Sequence, residues 1–372
     1  MKQSNLHLVA FNVPFPANYG GVIDVFYKMK ALKELGVNVH LHCFQYGREE
    51  ADELLAVCEM VYYYERNTSV FQHFSGLPYI VKSRINNALL DNLLKNDFPI
   101  IFEGLHCCGI LNHPKLMKRV RMARMHNVEW QYYEHLAKQE KHLLKRLFFK
   151  IESIKLKRFE KIIHSADVLL PISPNDTFYY ETHFPNTERI YVPAFHPNEV
   201  ITSKIGKGDY ALFHGDLSVK DNEDAAIYLI NSVFNDLDIP LVIAGLNPSE
   251  RLLAKASEKV KIKANLTHKA MNELIQNAHV NVLVSFHSAG MKLKLLNALF
   301  KGRFCVVNEY LVDGTGMDEY CSVGKDAKIL KRLLTKAFTD TFTAKDIAER
   351  QKLINGDLSN EKSARLIMNY KP

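Results

Sequence analysis

Short apolar, β-branched runs alternate with longer segments of helical period twice along this chain, and a stretch with neither period separates the two series. In the first series "LHLVAFNV" reads as a strand, "GGVIDVFYKMKALKELG" as a helix closed by Gly36, and "VNVHLHCF" as the next strand. Strands joined through a helix lie parallel, because a parallel pair needs a long crossover. "DFPIIFEGL", "RVRMARMHNV" and "SADVLLPIS" continue the same sheet. From Pro193 the segment "PAFHPNEVITSKIGKG" loses its period and gathers Pro, Gly and Ser, which marks a linker. The alternation then restarts, with "YALFHG", "IPLVIAG", "VKIKAN", "VNVLVSF" and "RFCVVN" as strands and "NEDAAIYLINSVF", "PSERLLAKASE", "HKAMNELIQNA" and "KLKLLNALFKG" as the helices between them. This pattern predicts an α/β chain of two doubly wound, Rossmann-like domains: residues 1–195, a linker over 196–207, residues 208–355, and a last helix in 356–372 that packs back on the first domain. Such sheets bind ligands outside the carboxyl ends of their strands, so an interdomain cleft is the expected site.

With 372 residues, 47% of them hydrophobic, the chain can bury two cores. No run approaches the roughly 20 apolar residues of a membrane span, and the start reaches Asn12 and Pro14 too early for a signal peptide, so a cytoplasmic protein is expected. Six cysteines without CxxC spacing, most in apolar strand-like context, read as reduced core thiols and not as a zinc or disulfide framework. The net charge of +7 comes mainly from residues 138–161, where nine Lys/Arg face three Glu, a balance of +6. Leu144, Leu147, Phe148, Ile151 and Ile154 form a helical stripe there, which is expected to pack while the basic face looks outward. That face is either a solvated surface or a contact with an acidic substrate or an anionic membrane surface, which would place the protein at the inner face of the membrane. No interleaving of aromatic and basic residues suggests nucleic acid.

In "VNVLVSFHSAGMKLKLLNALFKGRF" a strand runs through a small-residue loop into a helix whose first turn carries Lys292 and Lys294. Cations there oppose the helix dipole, a cost that an anion would remove. The loop at Gly290 and Met291 suits a phosphate, bound by backbone N–H groups with the lysines adding full charge. Asn297 shares the helix face of Lys294 and suits a ribose hydroxyl, whereas a frayed, solvated helix end is the plain alternative. The first strand likewise ends in "FPANYGGV", where Gly20 and Gly21 let the backbone approach a ligand closely.

These stretches, with "RMHNVE", "SADVLLPIS", "YALFHGDLS", "PLVIAG" and "GMKLKLLNALFKGRFCVVN", resemble in order and spacing the nucleotide-sugar glycosyltransferases of GT-B architecture, in the retaining group of bacterial mannosyl- and glucosyltransferases. The resemblance implies transfer of a hexose from a nucleotide sugar to a glycan or lipid-linked saccharide in polysaccharide biosynthesis, with retention, without a metal and with no cofactor beyond the co-substrate. It places the donor diphosphate at Gly20 and Gly21, with Gly215, Asp216 and Lys220 on the donor side. It places His126 beside the donor sugar, where the residue positions or polarises it; without the resemblance His126 reads equally as a strand-end cap. Asn18, Tyr19, Glu103, His106, Asn127 and Glu129 are assigned to the acceptor side.

The departures are as informative. Where the family has two Glu separated by seven residues, this chain has Ala289 and Asn297, and "GDLSVKDN" lacks the usual basic pair. Preorganised cations at a departing diphosphate supply much of such catalysis. Lys292 and Lys294 are therefore expected to replace the pair, and Asn297 to take the ribose. Asp236 and Asp238 precede Pro240 and read as a turn, not as a metal-chelating Asp-x-Asp. A sugar-nucleotide epimerase and a catalytically inactive scaffold that keeps the fold are the competing readings.

Overall fold

The computed structural model describes residues 4–286, 293–356 and 358–370. Among them, those up to Pro197 and from Leu358 onward form one compact unit, and those from Asn198 to Gly356 form the other.

The first unit is a seven-stranded sheet in the order β3-β2-β1-β4-β5-β6-β7, with every pairing parallel. Its strands are β1 (Ser4–Ala10), β2 (Val37–Gln45), β3 (Met60–Glu65), β4 (Ile100–Glu103), β5 (Arg121–Met125), β6 (Val168–Pro171) and β7 (Glu188–Arg189). Successive β1 side chains point to opposite faces. Leu6, Leu8 and Ala10 accordingly join one core with Val25, Met29 and Leu32, while Val9 joins a second core with Phe44, Phe102 and Ala123. The first core includes Val25, Met29 and Leu32 from helix α1 (Gly20–Glu34). The chain's last helix contributes Ala364 and Ile367 to the same core. Burying a side chain such as Ile367 contributes roughly 1.5–3 kcal/mol. The tail is tied down further where Asn360 Nδ2 donates to the His196 carbonyl at 2.7 Å and Tyr370 OH donates to that of Asp167 at 3.0 Å.

The segment 138–161 differs from expectation. Helix α2 (Glu129–Gln139) stops, and helix α3 (Leu143–Phe159) begins afresh after residues 140–142. The stripe of α3 does not pack: Leu144, Leu147, Ile151 and Ile154 are exposed, and the buried positions are Glu152, Ser153 and Leu156. Hydrogen bonds fix this orientation, because Glu152 Oε2 accepts from the Tyr79 amide at 2.6 Å and Ser153 Oγ donates to the Trp130 carbonyl at 2.8 Å.

The second unit is a six-stranded parallel sheet in the order β10-β9-β8-β11-β12-β13. Its strands are β8 (Ala211–Asp216), β9 (Leu241–Leu246), β10 (Val260–Ala264), β11 (Val280–Leu283), β12 (Phe304–Asn308) and β13 (Ser322–Gly324). Helix α4 (Lys220–Tyr228) follows β8 and runs into a π-helical turn at Leu229–Val233. The helix expected over "PSERLLAKASE" is a single turn at Glu250–Leu253. Helix α5 (Leu293–Lys301) buries Leu295, Leu296, Leu299 and Phe300. Strand order reverses beside β1 in the first sheet and beside β8 in the second, the positions where open parallel sheets bind ligands. All six cysteines are free thiols, and all but Cys321 are buried.

Candidate active site

In the first unit the strand ends around the β1/β4 switch point gather a buried ionic cluster. Glu103 is the last residue of β4, His126 follows β5 directly, Arg124 lies within β5, and Asp24 and Lys28 come from one face of α1. Lys28 Nζ donates to Asp24 Oδ2 at 2.9 Å and to Glu103 Oε1 at 2.7 Å. Arg124 makes a bidentate pair with Asp24, at 2.8 and 3.2 Å, and the Phe195 amide adds a third donor at 2.8 Å. Arg124, Lys28, Asp24 and Glu103 are all essentially inaccessible.

Burial alone would raise the Asp24 carboxyl, but the charges of Arg124, Lys28 and His126 outweigh it and hold the group well below the carboxylate range. Glu103 is held down in the same way, with burial opposed by Lys28 and by the hydrogen bond from His126. His126 Nε2 lies 2.9 Å from Glu103 Oε2. An ionised carboxylate only accepts, so Nε2 carries the proton, and the tautomer and ring plane of His126 are set from inside the protein. Asp24, Glu103 and His126 each place a ligand-capable atom within 4.8 Å of the others, a spacing that also suits a metal. The Lys28 ammonium occupies that role here, bonded to both carboxylates, and the donor set is filled by the chain's own cations.

The neighbouring residues frame His126. Phe11 meets its ring edge-on at 5.5 Å and lies 5.4 Å from His106. Burial and the nearby Arg84 push the His106 imidazole well below its ordinary value, so it is neutral. Its Nδ1 is 3.9 Å from Glu129 Oε1, and burial raises the Glu129 carboxyl to about 8. Asn127 accepts from Tyr180 OH through its carbonyl at 3.3 Å. Gly104 turns the chain after β4 at φ +68, a conformation that favours glycine.

Gly20 and Gly21 open α1, with Tyr19 as the preceding cap residue. A Cβ on Gly21 would lie 2.5 Å from Phe11 Cζ, so this glycine is required by the ring that abuts His126. Arg48, which no motif singles out, braces the glycine loop. It donates to the Pro16 carbonyl at 2.7 Å and to the Asn18 side chain, and its guanidinium lies 4.9 Å from the centre of the Tyr19 ring. Asp24, Lys28, Arg84 and Arg124 were missed as well. Arg124 offered one readable signal, a charge inside a strand of a parallel sheet that is covered on both faces.

In the second unit Lys294 reaches the β8/β11 switch point. Its Nζ donates to Asn222 Oδ1 at 3.1 Å and to the Val284 carbonyl at 3.3 Å, and lies 5.3 Å from the centre of the Phe213 ring. Burial, with Lys294 adding to it, lowers the His214 imidazole to about 3. Asn222 Nδ2 also donates to the Asp216 carbonyl at 2.9 Å, and a Cβ on Gly215 would lie 3.3 Å from the same Asn222 side chain. Asp216 Oδ1 accepts from Ser218, and Lys220 is paired with Asp224. Gly215, Asp216 and Lys294 therefore surround Asn222, while Lys220 turns to an acidic partner. Asn297 Oδ1 accepts from Asn198 Nδ2 at 3.0 Å. Asp236 and Asp238 pair with Lys331 and Lys259. Ala289, Gly290, Met291 and Lys292 lie outside the described residues.

Residues 208–342 match the family model of glycosyl transferases group 1. Over 342 residues the chain is 28% identical to an "Uncharacterized 44.6 kDa protein in cps region" of Klebsiella pneumoniae, covering 83% of this chain and 84% of that protein. Among solved structures it is similar to sucrose-phosphate synthase from Thermosynechococcus elongatus, with a TM-score of 0.62 at 13% identity over 98% of this chain and 95% of the other. It is also similar to an α,α-trehalose-phosphate synthase (UDP-forming) from Burkholderia xenovorans in complex with glucose-6-phosphate, with a TM-score of 0.61 at 10% identity over 98% and 99% of the two chains. Medicago truncatula UGT71G1 complexed with UDP-glucose gives a TM-score of 0.58 at 10% identity over 99% and 98%. At these identities the structural likeness establishes the fold, two Rossmann-like domains of GT-B type.

Proposed function

We infer that this chain, whose residues 208–342 match the model of glycosyl transferases group 1, is a GT-B glycosyltransferase that moves a hexose from a nucleotide sugar to a saccharide or lipid-linked saccharide acceptor. The observation that carries this reading is Lys294, a cation held at the β8/β11 switch point by Asn222 and the Val284 carbonyl. A cation at that switch point supports the reading because a nucleoside diphosphate needs charge compensation and the chain lacks the usual basic pair after β8. The relative in a cps region fits an acceptor in polysaccharide biosynthesis.

In this reaction the bond from the anomeric carbon to the diphosphate oxygen breaks. An acceptor hydroxyl oxygen bonds to that carbon, and its proton ends on the departing diphosphate. Lys294, with Lys292, offsets the charge that builds on the leaving group. Gly215 brings backbone close to the phosphates, and Asn297 with its partner Asn198 takes the ribose. On the first unit His126, fixed by Glu103, positions the hexose, and Asn18, Tyr19, His106, Asn127 and Glu129 line the acceptor side. Transfer proceeds with retention and without a metal, and the basic segment 138–161 holds the enzyme at the inner face of an anionic membrane.

Thermal unfolding against UDP-, GDP-, dTDP- and ADP-sugars, with and without a chelator, tests this. A ligand at 100 times its dissociation constant adds about 2.7 kcal/mol, a visible shift. Stabilisation by one nucleotide class that survives the chelator is expected. The absence of any shift would put an inactive scaffold ahead of the transferase, and a shift abolished by the chelator would overturn the metal-free reading. The anomeric configuration of the product, read by NMR, tests retention.

A further inference from the structure

Helix α3 is held to the first unit by one face and offers its apolar residues on the other. Leu143, Leu147, Ile151 and Ile154 follow one another at helical spacing, with Leu144 beside them, and together they span an arc of about 100°. Leu143 and Leu144 are 75% and 73% exposed, values foreign to a packed helix stripe. A second element extends the patch. The 3-10 turn Val70–Phe74 is fixed against α3, since Lys155 Nζ donates to the His73 carbonyl at 3.0 Å and the His73 ring meets Phe148 at 5.4 Å. Phe71 and Phe74 on this turn are 81% and 83% exposed. Single exposed apolar residues need no explanation, but a contiguous patch from two elements marks a binding face.

The charge around the patch identifies what it binds. Lys145, Arg146, Lys150, Lys157, Arg158 and Lys161 are exposed, whereas of the three carboxylates of 138–161 Glu152 and Glu160 are buried and only Glu140, ahead of α3, is not. The outward charge of 141–161 is thus entirely positive. At the far end of α3 a depression of about 550 Å³ is lined by Lys155, Arg158 and Lys161 together with Gly76 and Leu77. Two copies meeting through this face would oppose like charges, and a nucleic acid would gain nothing from its apolar centre.

We propose that the exposed faces of α3 and of the turn Val70–Phe74 form one docking surface for a bilayer rich in acidic phospholipid. The leucines, isoleucines and phenylalanines enter the acyl boundary, the surrounding cations meet the headgroups, and the Lys155–Arg158–Lys161 depression takes a lipid phosphate. This surface rests on the membrane-proximal reading of segment 138–161 given above, and it adds insertion and a second inserting element to what was a purely electrostatic contact.

The test is co-sedimentation of the full chain with vesicles of phosphatidylglycerol and phosphatidylcholine, compared with phosphatidylcholine alone. Binding to the acidic vesicles that weakens with salt is expected. The pairs Phe71→Ser with Phe74→Ser, and Leu147→Gln with Ile151→Gln, each lower the partition coefficient by about tenfold or more, because they remove apolar area that enters the bilayer. All four positions are exposed, and an unchanged melting temperature confirms the fold. No sedimentation with either vesicle, or equal sedimentation of wild type and variants, would overturn the proposal. So would a wild-type dimer by light scattering that the variants convert to monomer, which assigns the face to a second copy. Vesicle binding requires no donor, so a failed transferase reading, seen as no nucleotide-induced shift, leaves this outcome separately readable.

Discussion

Glu103 accepts from Lys28 through one carboxylate oxygen at 2.7 Å and from His126 through the other at 2.9 Å, so a lysine with no solvent access and a histidine at the strand ends are held by one side chain. The carboxylate is thereby locked in ionised form, and it locks the His126 tautomer in turn. In Glu103→Gln the amide offers one acceptor and one donor to two donors, so either His126 turns or Lys28 loses a partner. Steady-state transfer kinetics should show kcat lower by about tenfold to a hundredfold, with donor KM changed far less. An altered pH profile for kcat marks the loss of tautomer control, which a merely structural role would leave in place.

Lys28→Met removes the central cation and leaves Asp24 and Glu103 buried with less compensation. Breaking a buried pair in this way costs about 3–5 kcal/mol, and urea unfolding at neutral pH should read a loss of that size. The pH dependence follows by sign. Both carboxyls are depressed when folded, so in the wild type they add stability above the ordinary carboxylate range and lose it as pH falls through their lowered values. The variant gains less from deprotonation, so its deficit against wild type should shrink in acid.

Lys294→Met tests the second unit. Its partner Asn222 lies in the first turn of α4, which follows β8, and Val284 follows β11 directly, so the substitution deletes a cation there without opening the core formed by Leu295, Leu296 and Leu299. Donor-induced thermal stabilisation should vanish, and kcat/KM should fall by about a hundredfold, the scale of losing one preorganised donor at a developing charge. Unchanged donor affinity and turnover would remove Lys294 from the site.

The two sheets were legible because their central strands are buried on both faces and read as apolar, β-branched runs. β3 was not: "MVYYYE" lies at the sheet edge, is mostly half-buried, and carries its hydrophobicity on tyrosines. The resemblance singled out His126, and Glu103 was assigned to the acceptor side; that the two share a hydrogen bond is visible only in the fold. Asp24 and Lys28 could not be selected, because charges inside a helical run are ordinarily the wet face, and only the fold shows that this i,i+4 pair points at Glu103 and Arg124. The α3 stripe failed for a related reason. Helical period locates an apolar face but not what covers it.

Glu129 gives a prediction in the alkaline direction. Burial raises its carboxyl from the ordinary range to about 8, so it folds protonated, and its contribution is complete below the unfolded value and lost as pH rises through the folded one. Buried His106 and His214 act oppositely, losing stability toward acid, so wild type alone would mix the trends. The difference between Glu129→Gln and wild type isolates the carboxyl. Urea unfolding should show that difference moving in favour of the variant from pH 5 to pH 8, by at least about 1.4 kcal/mol, the equivalent of one pH unit of displaced titration.

Gly21 separates packing from phosphate binding. A Cβ there would meet Phe11 Cζ at 2.5 Å, closer than van der Waals contact allows, and Phe11 is the ring set edge-on to His126. Gly21→Ala should therefore destabilise by about 1–3 kcal/mol, as overpacking does. Phe11→Leu alone removes ring volume and costs stability of its own. Because the clash requires both groups, the double variant should be more stable than the sum of the two losses predicts, a coupling of about 1 kcal/mol or more by double-mutant cycle. Donor affinity measured on the same four proteins completes the test. If Gly21 serves only Phe11, affinity returns with stability in the double variant; if its backbone also meets the diphosphate, affinity stays low after the packing is relieved.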